Sequence, residues 1–97
     1  MVYVDEATWE WRGQFWCHLL ADSIDELHEF AARLGLRRSW FQGSSRFPHY
    51  DLTVNKRLLA IRLGAQAVDA RTAVVRARTL RAGVAASHPV QTELQWA

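Results

Sequence analysis

The chain has 97 residues and a formal net charge of +2, and a chain of that length folds as one domain around a single core. Hydrophobic residues make up 49% of the chain and charged residues 23%, which is ordinary for a soluble globular domain. One cysteine excludes an internal disulfide and fits a reducing compartment. The apolar runs are too short to span a bilayer and no signal-peptide pattern opens the chain, so we expect a cytoplasmic protein without a membrane partner.

Charge is distributed unevenly along the chain. Residues 1–29 hold seven acidic side chains and a single base, Arg12. Residues 33–81 hold eleven basic side chains and only two acids, Asp51 and Asp69. This asymmetry favours an anionic partner for the second half of the chain, or a basic face packed on an acidic one.

The first residues predict two strands. Residues 2–4 are β-branched and aromatic, and residues 14–20 are apolar and aromatic, as strands of a small sheet are. Between them, residues 6–13 are expected to form a loop or the approach to a hairpin, with Gly13 as the turn residue.

A helix is predicted over residues 24–34. Ser23 and Glu26 match a capping box, in which the serine hydroxyl accepts a bond from a backbone amide and the glutamate reaches back. Apolar residues then recur at helical spacing, and Gly35 follows them as a left-handed stop.

A second helix is predicted to begin after Thr53, which can cap it, and to end at Gly64. Residues 65–68 are a candidate for a brief strand. The buried side of this helix is expected to hold its four large apolar side chains, Val54, Leu58, Leu59 and Ile61.

Asp69 can cap a third helix over residues 70–82, which Gly83 would close. Residues 84–97 are then an extended C-terminal tail, and residues 1–83 form the single domain. Helices that alternate with short strands predict a small α/β domain, with a layered sheet of short strands and about three helices.

The segment before the second helix carries the most distinctive polar residues of the chain. His49 and Asp51 flank Tyr50 in an extended segment, so their side chains should project to the same side. Pro48 restrains the backbone before them. Because an aspartate can orient one imidazole tautomer and raise its basicity, this pair suits general base work. Asp51 as a simple helix cap is the alternative, and the two roles are compatible.

His18 and Asp22 form a second polar pair, at the predicted transition from strand to helix. If the strand ends between them, both lie where open α/β sheets usually bind ligands. The competing interpretation is a hydrogen-bonded core histidine and an additional helix cap.

Basic and aromatic residues near the second helix suggest an anionic ligand with a ring. Lys56 and Arg57 fall in its first turns, where a cation is unfavourable unless an anion binds to the helix amides. Together with Arg62 they could hold a phosphate, while Trp40 or Tyr50 stacks on a ring. A solvated basic face is the alternative for the three cations.

Several familiar signatures are absent from the sequence. It has no Walker-type loop, no dinucleotide glycine fingerprint and no serine-centred elbow. One cysteine and scattered histidines lack the paired spacing of a structural zinc site. An oxygen-ligated cation between Asp5, Asp22 and Asp51 matches no motif. We therefore predict neither a metal nor a cofactor.

Seven segments of the chain, in the same order and at similar spacing, carry a resemblance to a known family: Val2-Tyr3-Val4-Asp5, Cys17-His18-Leu19-Leu20-Ala21-Asp22, Glu26-Leu27-His28, Leu34-Gly35-Leu36-Arg37-Arg38, Trp40-Phe41-Gln42, Pro48-His49-Tyr50-Asp51, and Asn55-Lys56-Arg57 through Ile61-Arg62-Leu63-Gly64-Ala65. In these segments the chain resembles the bacterial and phage proteins grouped as domain of unknown function 4031. The resemblance covers about residues 2–68 and implies no established activity. It does imply that five polar residues belong to one shared set: His18, Asp22, His49, Tyr50 and Asp51. Its phage members suggest an anti-defence or host-takeover role.

The leading hypothesis is a pocket that binds a phosphorylated, nucleotide-like small molecule. His18 and His49, with Asp51, would cleave a phosphodiester or glycosidic bond, or the pocket would only sequester its ligand. Whether the protein is an enzyme stays open at this point. The competing hypothesis is an interaction protein whose basic third helix and aromatic N-terminal half bind nucleic acid or a host protein. A small core and an apolar tail also predict a homodimer or a larger homo-oligomer.

Overall fold

The computed structural model describes residues 1–43 and 47–87, with side chains described as far as Arg78. In these residues a five-stranded mixed sheet and three α-helices form a small α/β domain, which confirms the predicted fold class. No helix in the described part of the chain has the length and apolarity that crossing a membrane requires. The elements are β1 (Val2–Val4), β2 (Trp9–Trp11), β3 (Gln14–Ala21), α1 (Ile24–Arg33), a 3-10 turn (Arg38–Trp40), β4 (Tyr50–Thr53), α2 (Val54–Arg62), β5 (Gln66–Ala67) and α3 (Ala70–Ser87).

The long strand β3 is the centre of the sheet. One of its edges pairs antiparallel with β2 over its first residues and with β1 over its last, while its other edge pairs antiparallel with β4. β5 lies parallel to β1 on the far side. Arg12 and Gly13 both have positive φ, 52° and 75°, as a two-residue hairpin turn between β2 and β3 requires. Gly13 is thus at the turn as predicted, and β2 occupies part of the predicted loop.

The two faces of the sheet pack against different helices. Strand residues alternate in direction, so every second residue of β1, β3 and β4 faces α1 and α2 in the larger core. The side chains of this core include Val4, Leu19, Leu27, Leu34 and Leu52, each almost fully buried. The opposite face packs on α3 through a smaller cluster of Tyr3, Leu20, Ala73 and Ala77. The fold therefore has three layers, and any site on the α3 face is separated from the main core.

Helix α1 forms where its sequence predicts it. The Ser23 hydroxyl accepts a hydrogen bond from the Glu26 amide at 3.1 Å, and Gly35 takes a φ of 79° just past the end of the helix. The second half of the capping box does not form, because the Glu26 carboxylate bonds the terminal ammonium of Met1 instead.

The buried side of α2 differs from the prediction. Thr53 caps the helix as expected, accepting from the Lys56 amide at 3.4 Å. Ala60 is the fully buried residue of this helix, and Lys56, Arg57 and Leu63 are partly buried beside it. The cations lie inward because long basic side chains can bury their aliphatic stems. The large apolar side chains that were expected inside are exposed: Val54, Leu58, Leu59 and Ile61.

Helix α3 begins at the predicted cap, where Asp69 accepts from the Thr72 amide at 2.7 Å. It does not end at Gly83, since the helical backbone continues through Ser87. A glycine inside a helix costs only about 1 kcal/mol, so Gly83 alone does not end it. The predicted tail over residues 84–97 is therefore wrong for 84–87, and residues 88–97 lie outside the described part of the chain.

Candidate functional site

Three polar side chains converge on the α3 face of the sheet. His18 of β3 and Asp51 of β4 are directly opposite each other in the antiparallel register. His49 precedes Asp51 by two residues and so points to the same face. The His18 and His49 rings lie edge to face, with centroids 4.7 Å apart. One donor atom from each of the three residues lies within 4.8 Å of the others. We call His18, His49 and Asp51 the polar cluster.

Asp5 fixes the orientation of His18. Asp5 directly follows β1 and is 6% exposed. Each of its two carboxylate oxygens accepts a hydrogen bond from His18. The His18 amide donates to Oδ1 at 2.6 Å and ring Nδ1 donates to Oδ2 at 2.7 Å. The ring of Trp9 lies against the imidazole with centroids 4.6 Å apart. With Nδ1 carrying the proton, Nε2 of His18 is left with a lone pair.

His49 is fixed in a similar way by the backbone. Its Nδ1 donates to the Phe47 carbonyl, which can only accept, and its Nε2 lies 3.3 Å from Asp51 Oδ1. Burial opposes a charge on this ring, but the carboxylate of Asp51 and the Phe47 carbonyl outweigh it and raise the pKa of His49. The histidine is 8% exposed. It is therefore an oriented, nearly buried imidazole with a carboxylate beside it.

Asp51 carries one oxygen that no hydrogen bond satisfies. Its Oδ2 accepts from the Gln42 side chain at 2.6 Å. Its Oδ1 is buried and lacks a hydrogen-bond partner, because the contact with His49 Nε2 at 3.3 Å is an ion contact without hydrogen-bond alignment. Burial alone would raise the pKa of Asp51, but His49 and Gln42 more than offset this and lower it. The carboxylate is thus ionised and aimed into the cluster.

A cavity of about 330 Å³ lies between this face of the sheet and α3. Its polar side is formed by Asp5, Thr8, His18 and His49. The opposite walls are apolar and come from the sheet, from the segment before β4 and from α3: Leu20, Phe47, Ala70, Ala73, Val74 and Ala77. Small alanine side chains on α3 leave this space open. A mainly apolar cavity with a few convergent polar groups is the usual form of a small-molecule site.

Residues 2–80 match the family model described as a protein of unknown function, DUF4031. The chain belongs to this family. The match confirms the resemblance seen in the sequence. It continues past residue 68 into α3 as far as residue 80, so every residue that lines the cavity lies within it. No curated protein and no solved structure matches the chain.

The structure brings together only part of the predicted site. His18, His49 and Asp51 meet as described above. Asp22 does not join them: β3 ends between His18 and Asp22 as expected, but the four residues from one to the other are extended and span roughly 13 Å. The Asp22 carboxylate instead accepts from the Tyr3 hydroxyl at 3.1 Å. Asp5, Asp22 and Asp51 accordingly do not form a common set of oxygen ligands.

Tyr50 faces the other layer of the molecule. It lies between His49 and Asp51, so strand alternation directs its ring into the larger core, where it is 1% exposed. Its hydroxyl lies 2.8 Å from His28 Nδ1. Stacking of Tyr50 on a ligand in the cavity is therefore excluded by its burial. Trp40 is 52% exposed and does not line the cavity.

The three cations predicted to hold a phosphate have different positions. Arg57 Nε donates to the Asp5 backbone carbonyl at 2.7 Å, and Arg57 does not line the cavity. Lys56 is used elsewhere: its Nζ donates to the Leu34 carbonyl at 2.6 Å, at the C-terminal end of α1 where a cation is favourable. Arg62 is exposed near the end of α2 and does not line the cavity.

Sequence reasoning underestimated two residues. Asp5 was considered in the sequence as one of three carboxylates for a cation and not as a partner of His18, whose ring it orients. Sequence reasoning left His28 outside the candidate site; in the structure its Nε2 is buried without a hydrogen-bond partner, and its ring packs against Phe41 with centroids 4.5 Å apart. Burial and the nearby Arg38 lower the pKa of His28. Helical spacing alone gave no sign of this contact with the core.

Proposed function

We propose that this protein binds a small phosphorylated, nucleotide-like molecule in the cavity beside α3 and hydrolyses it at the polar cluster. The observation that carries the proposal is the position of the cluster. His18 and His49 lie in the cavity wall, so a ligand that fills the apolar part presents its polar group to them. A volume of about 330 Å³ suits a molecule of nucleotide size or smaller.

The groups at the polar side favour an anionic substrate. Two imidazoles with fixed ring orientation can donate to or accept from phosphoryl oxygens. Asp51 places a partly buried carboxylate next to both histidines. Such a set can polarise a water molecule for attack on phosphorus or on a glycosidic carbon.

Turnover and binding can be separated with one variant and one control. Purified protein is incubated with phosphodiester and phosphomonoester nucleotides, and products are followed by chromatography, while binding is measured by calorimetry. His49→Ala should abolish turnover and retain much of the binding if the cluster is catalytic. His28→Gln, on the other face of the sheet, should retain both activities.

Equal loss of binding and turnover in His49→Ala would instead assign the cluster to ligand binding. In that case the protein sequesters its ligand, which would suit a phage anti-defence role. The absence of both binding and turnover across the nucleotide panel in the unmodified chain would contradict the proposal.

A second candidate is a non-enzymatic interaction protein that binds nucleic acid. Two exposed tryptophans favour it, because each has an arginine over its ring: Arg12 lies 4.5 Å from the Trp11 ring centre and Arg37 lies 5.8 Å from that of Trp40. Such pairs can stack on a base and neutralise its phosphate. Binding through phosphates should weaken steeply as salt rises. Retention that does not change with salt would argue against this candidate.

Helix α2 carries a candidate interface for the expected homo-oligomer. The four exposed apolar side chains of α2 (Val54, Leu58, Leu59 and Ile61) are unusual on a single helix of a monomer. We propose that they pack against a second copy of the chain. Light scattering should give at least twice the mass of one chain at micromolar concentration, and a monomer under these conditions would contradict the proposal.

A further inference from the structure

We propose that His18, His49 and Asp51 bind one divalent transition-metal ion of the zinc type. Two imidazole nitrogens and one carboxylate oxygen lie within 4.8 Å of one another. An ion about 2.1 Å from each ligand holds its donor atoms roughly 3–4 Å apart. Side-chain movements of about an ångström would therefore close the site.

The surroundings of both histidines prepare them as ligands. A metal-binding histidine usually donates its second ring N–H to a carboxylate or to a backbone carbonyl, which fixes the tautomer. His18 donates from Nδ1 to Asp5 at 2.7 Å, and His49 donates from Nδ1 to the Phe47 carbonyl. In the neutral tautomers that these bonds select, both Nε2 atoms carry a lone pair. In a general acid–base pair the two histidines have different roles, so the pair does not require both rings to be held in the same Nδ1–H tautomer.

The carboxylate supplies the independent observation. Gln42 holds Oδ2 of Asp51, while Oδ1 is buried without a hydrogen-bond donor. An unsatisfied buried group of this kind costs about 1–3 kcal/mol, and more when it is charged. A cation bound at Oδ1 would remove that cost.

The ligand set also indicates the class of metal. Imidazole ligands suit Zn²⁺ and Fe²⁺, whereas Mg²⁺ and Ca²⁺ prefer oxygen ligands. The single cysteine, Cys17, is buried on the other face of the sheet and does not complete a structural zinc site. Three protein ligands leave a coordination position open, as in catalytic zinc sites. Because His18 and His49 border the cavity, that position is accessible to water or to a ligand there.

A zinc titration tests the proposal. Tag-free protein is stripped with a chelator and titrated with Zn²⁺ by calorimetry, and with Mg²⁺ in a parallel experiment. We expect one Zn²⁺ per chain and at least tenfold weaker binding of Mg²⁺. Asp51→Asn and His18→Ala should each weaken Zn²⁺ binding at least tenfold. His28→Gln is the matched control and should bind as the unmodified chain does.

Circular dichroism establishes whether each variant is folded. If Asp51→Asn does not fold, Gln42→Ala replaces it. This variant removes the hydrogen bond to Asp51 Oδ2 but keeps all three proposed ligands. It should therefore change Zn²⁺ affinity by less than His18→Ala does. Failure of Zn²⁺ to bind the unmodified chain, or equal binding by the folded Asp51→Asn variant, would overturn the proposal.

Different results would contradict the proposed metal site and the proposed hydrolysis. Full phosphoesterase turnover by the chelator-stripped protein would overturn a role for the metal and leave the proposed hydrolysis intact. One Zn²⁺ per chain without any turnover would establish the metal site and remove the hydrolysis.

Discussion

His18 and Asp51 form a directly opposed pair across β3 and β4. Opposed side chains on one face of an antiparallel pair have Cβ atoms about 5 Å apart, so the register itself brings an imidazole and a carboxylate together. His49 joins them because it lies two residues before Asp51 on the same strand face. The alternate residues of both strands, among them Cys17 and Tyr50, face the larger core. The rigid centre of the sheet therefore positions the cluster.

Loss of the Asp5 carboxylate should weaken metal binding without removing a ligand. Asp5→Asn retains the size of the side chain but loses the charged acceptor that orients His18. Removing such a partner typically lowers metal affinity 10- to 100-fold. The measurement is the Zn²⁺ titration described above, with the exposed Glu6→Gln as control for the loss of one negative charge. Equal affinities of Asp5→Asn and the unmodified chain would contradict the orienting role.

Tyr50→Phe should reduce stability and leave the cluster unchanged. The Tyr50 hydroxyl is the hydrogen-bond partner of His28 Nδ1, and its removal leaves a ring nitrogen without a partner. We expect a loss of about 1–2 kcal/mol in the free energy of unfolding, measured by urea denaturation. Zn²⁺ affinity should stay within twofold of the original because the ring lies on the other face. A tenfold change in affinity would show that Tyr50 reaches the cluster.

The pH dependence of stability should contain a contribution from His28. Burial and the charge of Arg38 lower its pKa in the folded state, while Asp25 opposes them weakly, so the folded chain resists a proton that the unfolded chain accepts near pH 6.5. The stability associated with neutral His28 is thus complete above that pH and is lost as the pH falls through the lowered folded-state pKa. Urea denaturation at several pH values should show this loss, and His28→Gln should reduce it. An unchanged slope in the variant would contradict the assignment.

Cys17 should be unreactive in the folded protein. Its side chain is fully buried, and burial raises the pKa of the thiol to about 12. Since the thiolate is the reactive form, a disulfide reagent at pH 8 should label the native chain far more slowly than the urea-unfolded chain. The absence of any other cysteine removes background. Similar labelling rates in both states would show that this part of the core opens readily.

Local signals predicted most of the fold. The caps at Ser23, Thr53 and Asp69 and the left-handed glycines at 35 and 64 all lie at or near helix boundaries. These features depend on residues within one turn of each other, so the sequence alone determines them. The inward face of α2 did not follow from such signals, since Lys56 and Arg57 lie inward through bonds to Leu34 and Asp5, residues far away in the sequence.

The candidate site was predicted where it depends on strand alternation. The two-residue spacing of His49 and Asp51 implied a shared face, and the structure has it. Asp22 and Tyr50 were assigned to the site from their proximity in sequence. The full length of β3 carries Asp22 away from the cluster, and alternation places Tyr50 in the core. The contribution of Asp5 needed the pairing of β1 with β3, which no local pattern contains.

The most direct test is native mass spectrometry of tag-free protein purified gently from cells, compared with the same sample after denaturation. We predict an added mass of one divalent metal ion per chain, lost on denaturation and absent in Asp51→Asn, with any bound phosphorylated ligand released in the same step. A chain that carries no added mass, and that gains none after incubation with Zn²⁺, would contradict the assignment of His18, His49 and Asp51 as a binding site.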